Sequence, residues 1–377
     1  MARLVVYGAN LAWEGKPGRG GHVMFALNWI EGLRLLGHEV LYVDECNGQP
    51  ESLALLGSIM AAWWAPSPYA ALSPEGEVLA GVDADGLRRF CLEAAALIAL
   101  GAPFRAGPPP PLAAIRPRVL VDMDPAFVQL WADQEELPEA VYGLHDFYYT
   151  IGVNIGTPRC RIPTHGLPWR HVWNPVLLDW WADLPATPEG PISTVAGWWI
   201  NSYQVFEGQT CGPKAEQFRR FLTLPERSAA PFAIALETAP DDPDRALLAA
   251  HRWHLLDPAV AVADAEAYRR FIGSSAAEFS CAKGLYVVSN CGWFSDRTAC
   301  YLAAGRPAIC QATGIADALP SGEGLFFVSD LEEALEAVAA IRADYPRHAA
   351  AAQRIAREHF ATEQVLPNFL AELGLSA

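Results

Sequence analysis

Between Asn290 and Arg297 the chain reads Asn-Cys-Gly-Trp-Phe-Ser-Asp-Arg, a small polar turn that runs into the stretch Thr298 to Ala304. Ser295 and Asp296 stand where a helix N-cap belongs. The free backbone N–H groups of a helix start, a serine hydroxyl and the Arg297 cation together suit a diphosphate. A second cluster, Gly15-Lys16-Pro17-Gly18-Arg19-Gly20-Gly21-His22, lies near the N-terminus. Its glycines permit close backbone approach to a ligand, and Lys16 and Arg19 supply positive charge. His22 is placed either to take a proton from a hydroxyl or to bond a phosphate, with a simple helix cap as the bland alternative. Asp122-Met123-Asp124 puts two carboxylates at a strand end, where Pro125 favours a turn over a cation site. His145-Asp146 offers a base and an orienting acid, but neighbours on a strand point to opposite faces.

These residues need elements to hold them. Leu4 to Tyr7 reads as a strand, and Val23, Leu27, Ile30 and Leu33 share one helical face that Gly37 closes before a buried-type strand from Glu39 to Asp44. That is a βαβ unit on a parallel sheet. Val119 to Val121 adds a strand ending at Asp122, and Gly107 to Pro111 a rigid connector. The Pro- and Trp-rich segment from Ile162 to Pro191 marks a domain junction. Beyond it, Ser193 to Gly197, Phe232 to Leu236, Leu285 to Val288, Ala308 to Cys310 and Leu325 to Val328 read as strands alternating with helices. Glu278 and Lys283 then fall on a helix, and Ser329 with Glu332 reads as a capping box. The expected architecture is α/β, with two Rossmann-like domains whose parallel sheets face across a cleft. They would span 1–180 and 181–350, with 351–377 a helical segment packing back on the first. Such sheets bind ligands at the C-terminal ends of their strands.

At about 150 residues per domain, 377 residues and 52% hydrophobic composition fit two globular domains and exclude a disordered chain. A net charge of −16 argues against nucleic acid or an anionic bilayer as partner. The eight cysteines form no CxxC pair, so reduced thiols are expected and a structural metal is not. The opening lacks the apolar core of a signal peptide, and no apolar window reaches the roughly 18–20 residues of a spanning helix. A cytoplasmic protein without a transmembrane span is expected.

The phrase NCGWFS resembles the HCGWNS core of the plant glucosyltransferase signature, and LAAGRPAI resembles the small-x-Gly-x-Pro element that follows it. The stretch from Ala277 to Gly314 is thus similar to the donor-binding region of nucleotide-sugar glycosyltransferases of the two-Rossmann-domain (GT-B) type. The Gly15 to His22 loop resembles the loop after their first strand. The resemblance implies a UDP-, GDP- or dTDP-sugar as co-substrate, with Ser295, Phe294, Thr298, Gly20 and Gly21 around the donor. It also puts Trp199 and Asn201 on a loop facing the diphosphate. Arg297 or Lys283 would neutralise the departing diphosphate, and Glu278 or Asp296 would accept sugar or ribose hydroxyls. Trp293 and Trp13 would stack on ligand rings, with Trp13, Asp122, Asp124 and His145 on the acceptor side. His22 would be the base if the enzyme resembles inverting members. The chain departs from the pattern in that Asn290 replaces a histidine, Cys300 and Gly292 stand where retaining relatives carry glutamates, and the Trp293 to Gly305 stretch is longer.

The expected function is metal-independent glycosyl transfer between a small-molecule donor and an acceptor bound mainly by the first domain. No permanent cofactor and no nucleic-acid partner are expected, and the protein would be a monomer or homodimer. The rivals are a nucleotide-sugar 2-epimerase on the same scaffold and a non-catalytic nucleotide- or carbohydrate-binding protein. A dehydrogenase fits poorly, because ten residues separate Gly8 from Gly18 whereas a GxGxxG turn joins strand directly to helix.

Overall fold

Apolar runs of strand length alternate with helices along the chain, and they assemble into two parallel sheets in a computed structural model that describes residues 1–11, 18–101, 104, 107–134, 143–200 and 203–375. The chain divides into two compact units, one of Met1–Lys16, His22–Pro175 and Thr362–Ala377, the other of Pro17–Gly21 and Val176–Ala361.

In the first unit the strands are β1 (Arg3–Tyr7), β2 (Glu39–Glu45), β3 (Tyr69–Leu72), β4 (Val78–Gly81), β5 (Ala94–Gly101), β6 (Arg118–Asp122), β7 (Phe147–Thr150) and β8 (Arg170–His171). Their order is β4-β3-β2-β1-β5-β6-β7-β8, parallel except for the edge hairpin β3–β4. Val23, Leu27, Ile30 and Leu33 of the helix Gly20–Leu35 are all buried, as the periodicity requires. The helix Thr362–Glu372 belongs to this unit. Phe369 sets its ring edge-on to Trp29 at 5.3 Å, and a side chain on Gly32 would strike Thr362 and Leu366, so the two helices meet at a glycine.

The second unit is built on β9 (Ile192–Gly197), the hairpin β10 (Gln204–Phe206) and β11 (Gln209–Cys211), then β12 (Phe232–Glu237), β13 (Trp253–Leu256), β14 (Ala277–Ser280), β15 (Ala308–Gln311) and β16 (Leu325–Val328). The main sheet is parallel, in the order β13-β12-β9-β14-β15-β16. Phe218, Phe221, Phe232, Trp253 and Phe279 form a ring cluster on one face. The main stretch of this unit begins at Val176 and ends at Ala361, and those two residues pair in a parallel bridge.

Two local readings are corrected. Leu285 to Val288 is not a strand but part of the helix Gly284–Val288; the strand is Ala277–Ser280, buried between β9 and β15. Glu278 therefore sits on a strand and Lys283 at the cap of the short helix. Four Leu, Tyr and Val residues suggest β structure, but sheet position decides a strand more than composition does. The capping box lies one residue later, where Asp330 accepts from the Glu333 N–H and the Glu333 carboxylate accepts from the Ser329 N–H.

Candidate functional site

In the second sheet β12 and β13 lie on one side of β9, and β14, β15 and β16 on the other, so the strand order reverses between β9 and β14. Open α/β sheets bind ligands beyond the strand ends at such a point. The β9–β14 pairing covers only Ile192↔Ala277 and Ser193↔Glu278, after which the two strands part. Arg297 fills the gap. Its Nη1 donates to the Val195 carbonyl at 2.8 Å, Nη2 to Ser280 Oγ at 2.8 Å and Nε to Glu278 Oε1 at 2.5 Å. Burial works against the guanidinium charge, but the neighbouring Glu278 carboxylate outweighs it and raises the Arg297 pKa. The helix Asp296–Ala303 is thereby clamped to the split sheet, with Ser295 Oγ accepting from the Arg297 N–H as its cap. Arg297 and Glu278 are turned into each other, which leaves neither the open contact with phosphate or sugar expected from the sequence.

The positive charge at the strand ends comes from lysine. The chain contains only Lys16, Lys214 and Lys283. Lys16 lies outside the described residues, as do Trp13 and Asn201. Lys214 follows Gly212-Pro213 and Lys283 precedes Gly284, and the two glycines touch: the Gly284 N–H donates to the Gly212 carbonyl at 3.0 Å. A Cβ on Gly284 would stand 2.9 Å from that oxygen, so only glycine lets the loops close. Gln311, at the end of β15, locks the arrangement by donating to Gln217 Oε1 at 2.7 Å and accepting from the Ala282 N–H at 3.1 Å. Burial, then the charges of Arg297 and Lys283, lower the Lys214 pKa to about 7. Lys214 makes no ion pair among the described residues. Sequence reading missed it, although the scarcity of lysine in a chain rich in arginine was a usable signal.

Lys283 Nζ lies 5.3 Å from the Tyr286 ring centre, and Tyr286 stacks on Trp293 at 4.8 Å, so Trp293 belongs to the lysine cluster. Asp296 opens the clamped helix, its pKa raised by burial against the pull of Arg297. Phe294 stacks on Phe360 at 5.0 Å, and Thr298 faces Cys310 Sγ at 3.8 Å; both turn into the core. Trp199 is exposed just past β9, its indole N–H donated to Asp242. Gly20 and Gly21 serve packing rather than an open loop, since side chains there would strike Asp264 and Tyr268.

In the first unit, His22 is exposed and its Nε2 meets the Ala9 carbonyl. Asp122 is buried and accepts from Gln129 Nε2 at 3.0 Å, Thr150 Oγ1 at 2.9 Å and the Asp124 N–H at 2.8 Å. The Asp-Met-Asp triplet is thus a strand-end turn, with Asp124 half-buried beside it. Burial raises the Asp122 pKa to about 7. His145 is buried with its ring stacked on Phe104 at 4.9 Å. All eight cysteines are buried, and none is in a disulfide. Among the described residues no helix is long and apolar enough to cross a membrane.

No family model and no curated protein sequence matches the chain. Solved structures match over its whole length. An alpha-glucosyltransferase in complex with UDP-glucose and DNA containing an abasic site superposes with a TM-score of 0.59 at 12% identity, covering 98% of both chains. Sucrose-phosphate synthase from Thermosynechococcus elongatus gives 0.59 at 10% identity over 99% of both. Anabaena HepE in complex with UDP and glucose gives 0.56 at 10% identity over 99% of both. The fold is that of GT-B glycosyltransferases, as the sequence motif implied.

Proposed function

We propose that this protein is a glycosyltransferase whose nucleoside-diphosphate sugar donor rests its diphosphate on Lys214 and Lys283. The carrying observation is this lysine pair at the strand-order reversal, drawn together by the Gly212–Gly284 contact. Burial and the charges of Arg297 and Lys283 disfavour the Lys214 ammonium, and a bound anion offsets that cost. The similarity to folds solved with UDP or UDP-glucose supports a UDP-sugar as the first donor to test. Arg297 and Glu278 act as the frame: they clamp the helix start that presents Ser295 and Asp296, while the lysines stabilise the leaving diphosphate. His22 is the proposed base. The reaction is metal-independent, since the lysines supply the charge a divalent cation would bring, and a monomer or homodimer transfers a hexosyl group between small molecules in the cytoplasm.

Thermal melts with UDP, GDP and dTDP, each with and without EDTA, test this on wild type, Lys214→Met and Lys283→Met. One nucleotide should raise the Tm regardless of EDTA, and either substitution should abolish most of the shift. Absence of any shift in the wild type would refute the donor site. The mutual pairing of Arg297 with Glu278, and buried Cys300 in place of a glutamate, favour one rival, a protein that binds nucleotide without transfer. Release of glucose from UDP-glucose separates the two.

A further inference from the structure

The turn 289–295 lies between the helices Gly284–Val288 and Asp296–Ala303 and has no regular structure of its own, so its side chains stay where their neighbours hold them. Two consecutive rings in it serve different partners. Trp293 stacks on Tyr286 at 4.8 Å, and Tyr286 faces the Lys283 ammonium; Phe294 stacks on Phe360 at 5.0 Å with the two planes 3° apart. Because Trp293 and Phe294 share a peptide bond, Phe294 cannot shift without moving Trp293. The four rings thus make one ladder from Phe360 to Lys283, with Phe360, Phe294 and Tyr286 all buried.

The far end of the ladder is fixed. The Ala361 N–H donates to the Ala356 carbonyl at 2.9 Å, which makes Ala356–Phe360 a π turn. Such a turn carries one residue more than an α-helical turn, and each residue rotates a helix by about 100°, so the extra residue decides which way Phe360 points. The Val176 N–H donates to the Phe360 carbonyl at 2.7 Å and ties the backbone under the ring to the bridge between Val176 and Ala361. On its other side the turn is pinned by its backbone: the Gly292 N–H donates to the Thr313 carbonyl at 2.8 Å, and Thr313 Oγ1 donates to the Trp293 carbonyl at 2.8 Å. These bonds set the path of the chain, and stacking sets the rings. Lys214 opens a separate helix, Lys214–Arg219, whose Gln217 is tied to Gln311.

We infer that Phe360 is a positioning residue for the donor site: through Phe294, Trp293 and Tyr286 its ring holds the Lys283 ammonium where a diphosphate meets it. The role of Lys283 toward the diphosphate rests on the transferase reading above; its placement by the ladder does not. With three lysines in the chain, reductive methylation by formaldehyde and cyanoborohydride, followed by peptide mass spectrometry, reads each one separately in the full-length protein. In Phe360→Leu, Lys283 should be methylated at least twice as fast as in wild type, and Lys214 at an unchanged rate. Phe294→Leu breaks the same stack from the other side and should behave alike, which keeps the test valid if Phe360→Leu folds poorly. UDP affinity should drop about fivefold in either variant, the worth of one stacked pair. That loss should persist when combined with Lys214→Met and vanish when combined with Lys283→Met, since the stack acts through Lys283. Equal methylation of Lys283 in wild type and both variants would overturn the inference, as would a loss of UDP affinity that Lys283→Met leaves undiminished. A wild type without a UDP melt shift, beside an intact labelling contrast, would instead remove the transferase reading and leave Phe360 as the residue that places Lys283.

Discussion

Lys214 gives up its proton near pH 7, because burial disfavours the ammonium and Arg297 and Lys283 add repulsion, with the smaller pulls of Cys281 and Glu278 opposing. A bound diphosphate reverses that balance and draws the proton back. Below pH 7 the site is charged and ready for an anion; above it, binding must first restore the proton. Affinity for a nucleotide sugar, whose diphosphate does not titrate in this range, should therefore fall severalfold between pH 6 and 8.5. Calorimetric titration of Lys214→Arg should show a flat profile, since a guanidinium keeps its charge throughout. Asp122 carries the opposite kind of lesson, as a carboxylate used for structure. Its folded pKa of about 7 stands above the ordinary 3.8, so the folded chain keeps a proton that the unfolded chain loses. This group's contribution then declines as pH rises from about 4 to 7. Asp122→Asn would turn an amide N–H toward one of three converging donors, lowering stability by about 1–3 kcal/mol in denaturant melts. An unchanged midpoint would show that the turn does not depend on the carboxylate.

At the level of elements, the site depends on two short loops meeting at Gly212 and Gly284. Gly284→Ala places a methyl group against the Gly212 backbone and must spread the lysines, so nucleotide affinity should drop at least tenfold while the melting temperature moves only slightly. A large Tm loss with affinity intact would mean that the contact holds the fold rather than the site. This meeting was not legible in the sequence, because Lys214 and Lys283 are far apart along the chain and only Lys283 lies in the Ala277 to Gly314 stretch that the sequence singles out. The helix start at Ser295 was legible, since capping is a local property of a few residues. So were β9, β12, β15 and β16, whose aliphatic runs are bounded by turn residues. The strand β5 went unread: Ala94–Gly101 is mostly alanine and leucine, which favour helix, and only its position between β1 and β6 makes it a strand. The inward turn of Arg297 was equally hidden, because the gap it fills exists only once β9 and β14 diverge.

Over the whole molecule, arginine and lysine divide the cationic work. Arginines make surface ion pairs, as in Arg3 with Glu39, Arg34 with Glu31, Arg116 with Asp146 and Arg227 with Glu332, and the two described lysines are the ones proposed for the donor. The first unit is completed by the last helix of the chain, a long-range closure that leaves its stability in the hands of a few contacts. Phe369 sits between Trp29 and Tyr149 with centroid distances of 5.3 and 4.9 Å, and Glu372 accepts from the Tyr149 hydroxyl at 2.8 Å. Phe369→Ala removes a buried ring and should cost this unit about 3–5 kcal/mol. The second unit, whose β9 to β16 sheet and lysine pair contain no part of that helix, should keep its own stability and its response to UDP. Calorimetry of the variant should then resolve two transitions, the lower insensitive to nucleotide and the upper raised by it. A single transition that falls as a whole would show that the two units melt as one cooperative body and that the C-terminal helix stabilises the donor site as well.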